Sequence, residues 1–88
     1  MAVTSADIEI ALRQALAPTL LTVRDDSHLH AGHAGALEGR HFGVQVVAQA
    51  FSGLSRVRRH RLVYDAVASL IPRGIHALAI DARAPDET

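Results

Sequence analysis

The chain has 88 residues, 49% of them apolar, and its nine arginines are balanced by nine carboxylates with no lysine. A chain of this length forms one small domain that buries roughly 60–65% of its unfolded surface. Zero net charge counts against tight non-specific nucleic-acid binding, which draws most of its affinity from a basic excess. With six histidines and no cysteine, any metal chemistry runs through imidazole or through the thiolates of a partner. Asp7 and Glu9 interrupt the only apolar stretch near the N-terminus, so no signal peptide is read there. No run approaches the roughly 18 apolar residues of a membrane span. The expectation is a cytoplasmic protein without membrane association.

In chain order, Thr4 or Ser5 caps a first helix, with Asp7 placed as the capping-box partner of Thr4. That helix carries Ile8, Ala11, Leu12, Ala15 and Leu16 on one face and ends at Pro18. A strand follows over Leu20–Asp25, where Leu21 and Val23 alternate with Thr22 and Arg24. Residues 26–40 form a loop rich in His, Gly and Ala, long enough to be a functional suspect. A second strand is predicted over Phe42–Phe51, with Phe42, Val44, Val46, Ala48 and Ala50 on one face. After Ser52-Gly53, residues 54 to about 71 read as the longest helix, stopped by Pro72 and Gly74. The third strand begins at Ile75. The order α-β-β-α-β predicts an α+β sandwich, a three-stranded sheet with helices packed on one face. The whole chain, residues 1–88, is one domain with a core over about 5–83 and a flexible tail at 84–88.

Two groups of residues carry candidate chemistry. His76 heads the apolar run Ile75-His76-Ala77-Leu78-Ala79-Ile80, and strict alternation puts it on one face with Leu78 and Ile80. It is there either a buried hydrogen-bonding group or a ligand at the rim of the sheet. His28, His30 and His33 lie within six residues of the long loop, and His28 and His30 share a side in extended chain. Such a loop supplies two or three imidazoles, fewer than a closed zinc site takes without a water or a second chain. Solvated histidines that bind nothing are the competing reading. Gly32-His33-Ala34-Gly35 matches a G-x-x-G pattern of nucleic-acid-binding loops, but it falls between strands rather than between helices, and we regard it as accidental.

Arg56, Arg58, Arg59 and Arg61 invite a nucleic-acid reading. On a helical wheel of residues 54–71, however, Leu54, Val57, Tyr64, Val67, Ala68 and Ile71 form an apolar arc that Val63 and Leu70 extend, and Arg56, Arg58 and Arg59 scatter around the remainder. His60 falls inside the arc and is expected to be a core histidine with a satisfied hydrogen bond. No nucleophile motif, paired carboxylates or glycine-rich loop opening a helix is present, so no enzyme is read.

The stretches Asp26-Ser27-His28-Leu29-His30, His41-Phe42-Gly43-Val44 and Phe51-Ser52-Gly53-Leu54-Ser55 resemble the BolA family. So do Arg59-His60-Arg61-Leu62-Val63-Tyr64 and Ile75-His76-Ala77-Leu78-Ala79-Ile80, with Ala84-Pro85 behind them. The resemblance covers about residues 6–85 and implies a KH-like fold. It further implies a monothiol glutaredoxin partner, with glutathione, and a shared [2Fe–2S] cluster that the isolated chain does not hold tightly. The family's C-terminal histidine maps onto His76 and its loop ligand onto His30, with His33 and His28 as alternatives. A longer loop than in many relatives leaves that choice open, and the family's tryptophan after Pro85 is absent. Imidazole in place of thiolate makes the cluster less negative and raises its potential. The resemblance also implies roles in iron–sulfur assembly, iron regulation or stress response, and an apo homodimer. A DNA-binding regulator using Arg56, Arg58 and Arg59 is the alternative.

Overall fold

Thr4 opens the first helix as expected: its hydroxyl accepts from the Asp7 amide (3.2 Å) and the Asp7 carboxylate accepts from the Thr4 amide (2.9 Å). These bonds satisfy donors that a helix start leaves free, and they hold the Asp7 carboxyl below its usual range. The computed structural model describes residues 3–26 and 40–87, in the order α1 (Ser5–Leu16), β1 (Leu20–Asp25), β2 (Arg40–Val47), α2 (Arg56–Ala66) and β3 (Ile75–Arg83). Ala17 stops α1 in the left-handed conformation, φ 44°, immediately before Pro18. Strand β2 is central, antiparallel to β1 and parallel to β3. A parallel pair cannot be joined by a hairpin, and α2 supplies the crossover.

Ile8 and Leu12 of α1, Phe42, Val44 and Val46 of β2, Val63 of α2 and Leu78 of β3 form one buried core. Both helices therefore cover the same face of the sheet. Thr22, Arg24, Gln45, Ala79, Asp81 and Arg83 lie exposed on the other. The expected α+β class, element order and one-sided layering are all present. Among the described residues, no helix is long and apolar enough to cross a membrane.

The boundaries differ in three places, each for a local reason. Strand β2 ends at Val47 rather than Phe51, because residues 49–51 curl into a 3₁₀ turn that buries Phe51 and exposes Ala50. Helix α2 spans 56–66 rather than 54–71. Beyond it the amide bonds tighten to i−3 partners (Ala68 to Asp65, Leu70 to Val67), and Pro72 and Gly74 (φ 136°) close the turn. Because Leu54, Ala68 and Ile71 stand outside the helix, a wheel that includes them turns the arc too far toward Val57 and Tyr64. Val63, Val67 and Leu70 are buried as the wheel expects and Leu62 and Ala66 also pack inward, while Val57 is 60% and Tyr64 40% exposed. His60 is not a core histidine but half-buried at the margin of α2. Finally, the frayed tail does not begin at residue 84: Ala84 is buried and residues 85–87 form a 3₁₀ turn.

Candidate functional site

Strand β3 enters the sheet with a slip. Arg40 stands opposite Ile75, but His41 stands opposite Ala77, so His76 is an extra residue with no opposite number in β2. Such a bulge breaks alternation and re-aims a side chain. Ile75 and Leu78, three residues apart, are both buried, and His76 between them is exposed. The alternation expected from sequence, with His76 beside Leu78 and Ile80, is corrected by this one-residue slip.

The slip brings His76 to His41. Phe42 turns into the core, so its neighbour His41 faces the opposite, uncovered side of the sheet. The two imidazole centroids are 5.1 Å apart with planes inclined by 47°. The amide of Asp26 donates to the His41 carbonyl (2.8 Å), which carries the β1 pairing past this point and fixes the strand beneath the ring. Two imidazoles this close together could offer a metal two nitrogen donors. Among the described residues, no three His, Asp or Glu side chains gather as a metal site. His28, His30, His33 and the Gly32–Gly35 stretch lie outside the described residues. His41 was not among the ligands expected from sequence, where the second strand was read from Phe42; the observed strand begins at Arg40 and includes it.

A second feature lies between α2 and the outer edge of β3, a cleft of 480 Å³ lined by Leu54, Arg56, Arg59, His60 and residues 80–83. Arg59 is built into its wall. Its Nε donates to the Leu54 carbonyl (2.9 Å) and its Nη1 to the Ala82 carbonyl (3.2 Å), and both Nη groups hold the Glu87 carboxylate. Arg56 is exposed at the cleft margin, whereas Arg58 is exposed outside it. The three arginines singled out from sequence thus have three different environments.

A sequence model of the family described as BolA-like protein matches residues 12–87. The chain belongs to the BolA-like family. It is 42% identical over 82 residues to "Protein BOLA1, chloroplastic" of Arabidopsis thaliana, covering 88% of this chain and 51% of that protein. It is 44% identical over 80 residues to BolA-like protein 1 of Mus musculus, covering 91% of this chain and 57% of that one. The chain therefore spans little more than half the length of these curated BolA relatives. The BolA domain of SufE1 from Arabidopsis thaliana superposes with a TM-score of 0.86 at 41% identity, over 100% of this chain and 99% of that domain.

In this BolA-like domain the arginine clamp has a consequence in acid. The bidentate bond from Arg59, assisted by the Ala84 amide, lowers the Glu87 carboxyl from an ordinary 4.5 to about 2. A depressed carboxyl stabilises the fold fully above its unfolded value, and the contribution drains away as pH falls from 4.5 toward 2. Glu87→Gln is therefore expected to flatten that part of the stability–pH curve, read as urea midpoints at successive pH values. A wild-type curve already flat there would contradict the clamp.

Proposed function

We propose that this BolA-like protein is a non-enzymatic, cytoplasmic partner of a monothiol glutaredoxin. In this reading the two proteins share a [2Fe–2S] cluster during iron–sulfur assembly, trafficking or iron regulation. The observation that carries it is the imidazole pair, His41 and His76, on a sheet face that no helix covers among the described residues. His76 is one ligand. His41 is the second by proximity, with His30, His33 and His28 as the loop alternatives.

The donor chemistry fits half a cluster. Such clusters take four ligands, mostly thiolates, and two imidazoles on one iron give a mixed set of higher potential. A chain without cysteine supplies only the imidazoles, and the partner with its glutathione brings the sulfur. The bulge sets the direction of His76, and the strand pairing sets that of His41. Neutral imidazole is the binding form, so the shared cluster is acid-labile.

The test is anaerobic reconstitution of a monothiol glutaredoxin with iron, sulfide and glutathione, with and without this chain, followed by visible absorption and circular dichroism. The expected result is a one-to-one complex whose spectrum differs from that of the glutaredoxin alone. Identical spectra in the two samples would rule the reading out.

The cleft favours a second reading, DNA binding by Arg56 and its neighbours. Arg56, Arg59, His60 and Arg83 converge on it beside β3, an edge strand of the sheet among the described residues. Binding of this kind weakens steeply with salt.

A further inference from the structure

We infer that the Arg59 guanidinium is a phosphate-binding site that the chain's own Glu87 keeps filled, so that single-stranded nucleic acid enters the cleft when residues 85–87 swing out. The inference rests on the second reading above and adds to it a site and a gate.

Arg59 is oriented independently of Glu87. The Leu54 carbonyl takes its Nε–H and the Ala82 carbonyl takes one Nη1–H, and its side chain is only 13% exposed. The fork that remains points into the cleft, where Glu87 accepts from both Nη groups. A guanidinium fork receives a phosphate in the same two-bond geometry as a carboxylate. Besides Arg59, the Ala84 amide donates to the Glu87 carboxylate (3.0 Å), and both bonds open together when the turn leaves. Residues 85–87 make a single 3₁₀ turn, closed by the Glu87 amide on the Ala84 carbonyl (3.0 Å), and Asp86 and Glu87 are exposed. Ala84 is buried and stays with the core, so the part that leaves is the short turn after it.

Charge tells the same story. Arg56, Arg59 and Arg83 at the cleft are matched by Asp81, Asp86 and Glu87. Asp81 pairs with Arg83 (2.9 Å), and Asp86 adds to the negative field on Arg59. With the turn docked the cleft is neutral and has no phosphate to attract. With the turn released, Arg59 loses its counter-charge beside the exposed Arg56, while Leu54 and Ile80 give apolar walls against which a base can lie. The strand edge completes the surface. The Leu78 carbonyl accepts from the Tyr64 hydroxyl (3.5 Å) and the Ala82 carbonyl from Arg59, leaving the Ile80 backbone between them facing the cleft. An electrically self-cancelled cleft also explains how a chain of zero net charge could hold a nucleic-acid site.

The experiment is fluorescence anisotropy of a labelled oligothymidylate of about 20 nucleotides with wild type, Glu87→Gln, Glu87→Ala and Glu87→Gln/Arg56→Gln. Far-UV circular dichroism confirms the fold of each variant, and an oligoglutamate peptide is titrated in parallel. Both Glu87 variants are expected to bind at least ~10-fold more tightly than wild type and with a steeper salt dependence, and Arg56→Gln is expected to take part of that gain back. Equal affinity of wild type and the Glu87 variants overturns the gate while leaving the cleft as a DNA site. Binding by none of them overturns the gate and the DNA reading together. A gain for oligoglutamate but not for oligothymidylate overturns the phosphate assignment.

Discussion

His76→Ala is expected to abolish the mixed-ligand cluster spectrum on reconstitution with a monothiol glutaredoxin while leaving the apo domain folded. Removing a direct ligand exceeds the roughly 10–100-fold effects seen when only a ligand's supporting hydrogen bond is lost. The fold has little stake in this side chain. His76 is exposed, and its removal opens no cavity among the buried residues. Changes at such positions move stability by only about 0.5 kcal/mol. His41→Ala separates the two candidates for the second imidazole. If the pair seen across the bulge is the ligand set, His41→Ala matches His76→Ala, and a triple replacement of His28, His30 and His33 leaves the spectrum in place. The opposite pattern assigns the second ligand to the loop. An unchanged spectrum in His76→Ala sinks the proposal whichever histidine stands beside it.

The parts of this fold that were legible in the sequence are those governed by local periodicity. Thr4 and Asp7 announced the start of α1, and Leu21 and Val23 announced the inward face of β1, because capping and alternation act within a few residues. The bulge at His76 is a different kind of fact. It belongs to the pairing of β3 with β2, and nothing in Gly74-Ile75-His76-Ala77 distinguishes a slipped register from a regular one. For the same reason His76 was visible as a candidate, but its neighbour His41, 35 positions earlier, was not. The phase error in α2 arose from extending one helix through Leu54 and Ile71, which the tightened turn and the 3₁₀ segment carry in other directions. Arg59 was likewise visible only as a charge. Its role as a clamp on Leu54, Ala82 and Glu87 depends on contacts up to 28 residues apart.

Phe42→Ala is expected to have the largest effect on stability. Phe42 is 1% exposed at the centre of the sheet, opposite Asp25 of β1 and Leu78 of β3. Truncating a buried phenylalanine costs about 3–5 kcal/mol, through lost apolar burial and the cavity left behind. A domain of this length is stable by roughly 5–13 kcal/mol, so the loss takes a large share of the total. It should be read as a fall in the urea midpoint, with Phe42→Leu retaining most of the stability because it keeps most of the volume. A midpoint within experimental scatter of wild type for Phe42→Ala would contradict the packing described for β2. The same residue ties the core to the proposed cluster site, since its neighbour His41 points away from the core because Phe42 points into it. Phe42→Ala is therefore expected to lose the shared cluster in proportion to the fraction unfolded, and Phe42→Leu to keep it. His76→Ala loses it with the fold intact. Reconstitution and circular dichroism on these three variants separate the part of the site that is chemistry from the part that is scaffold.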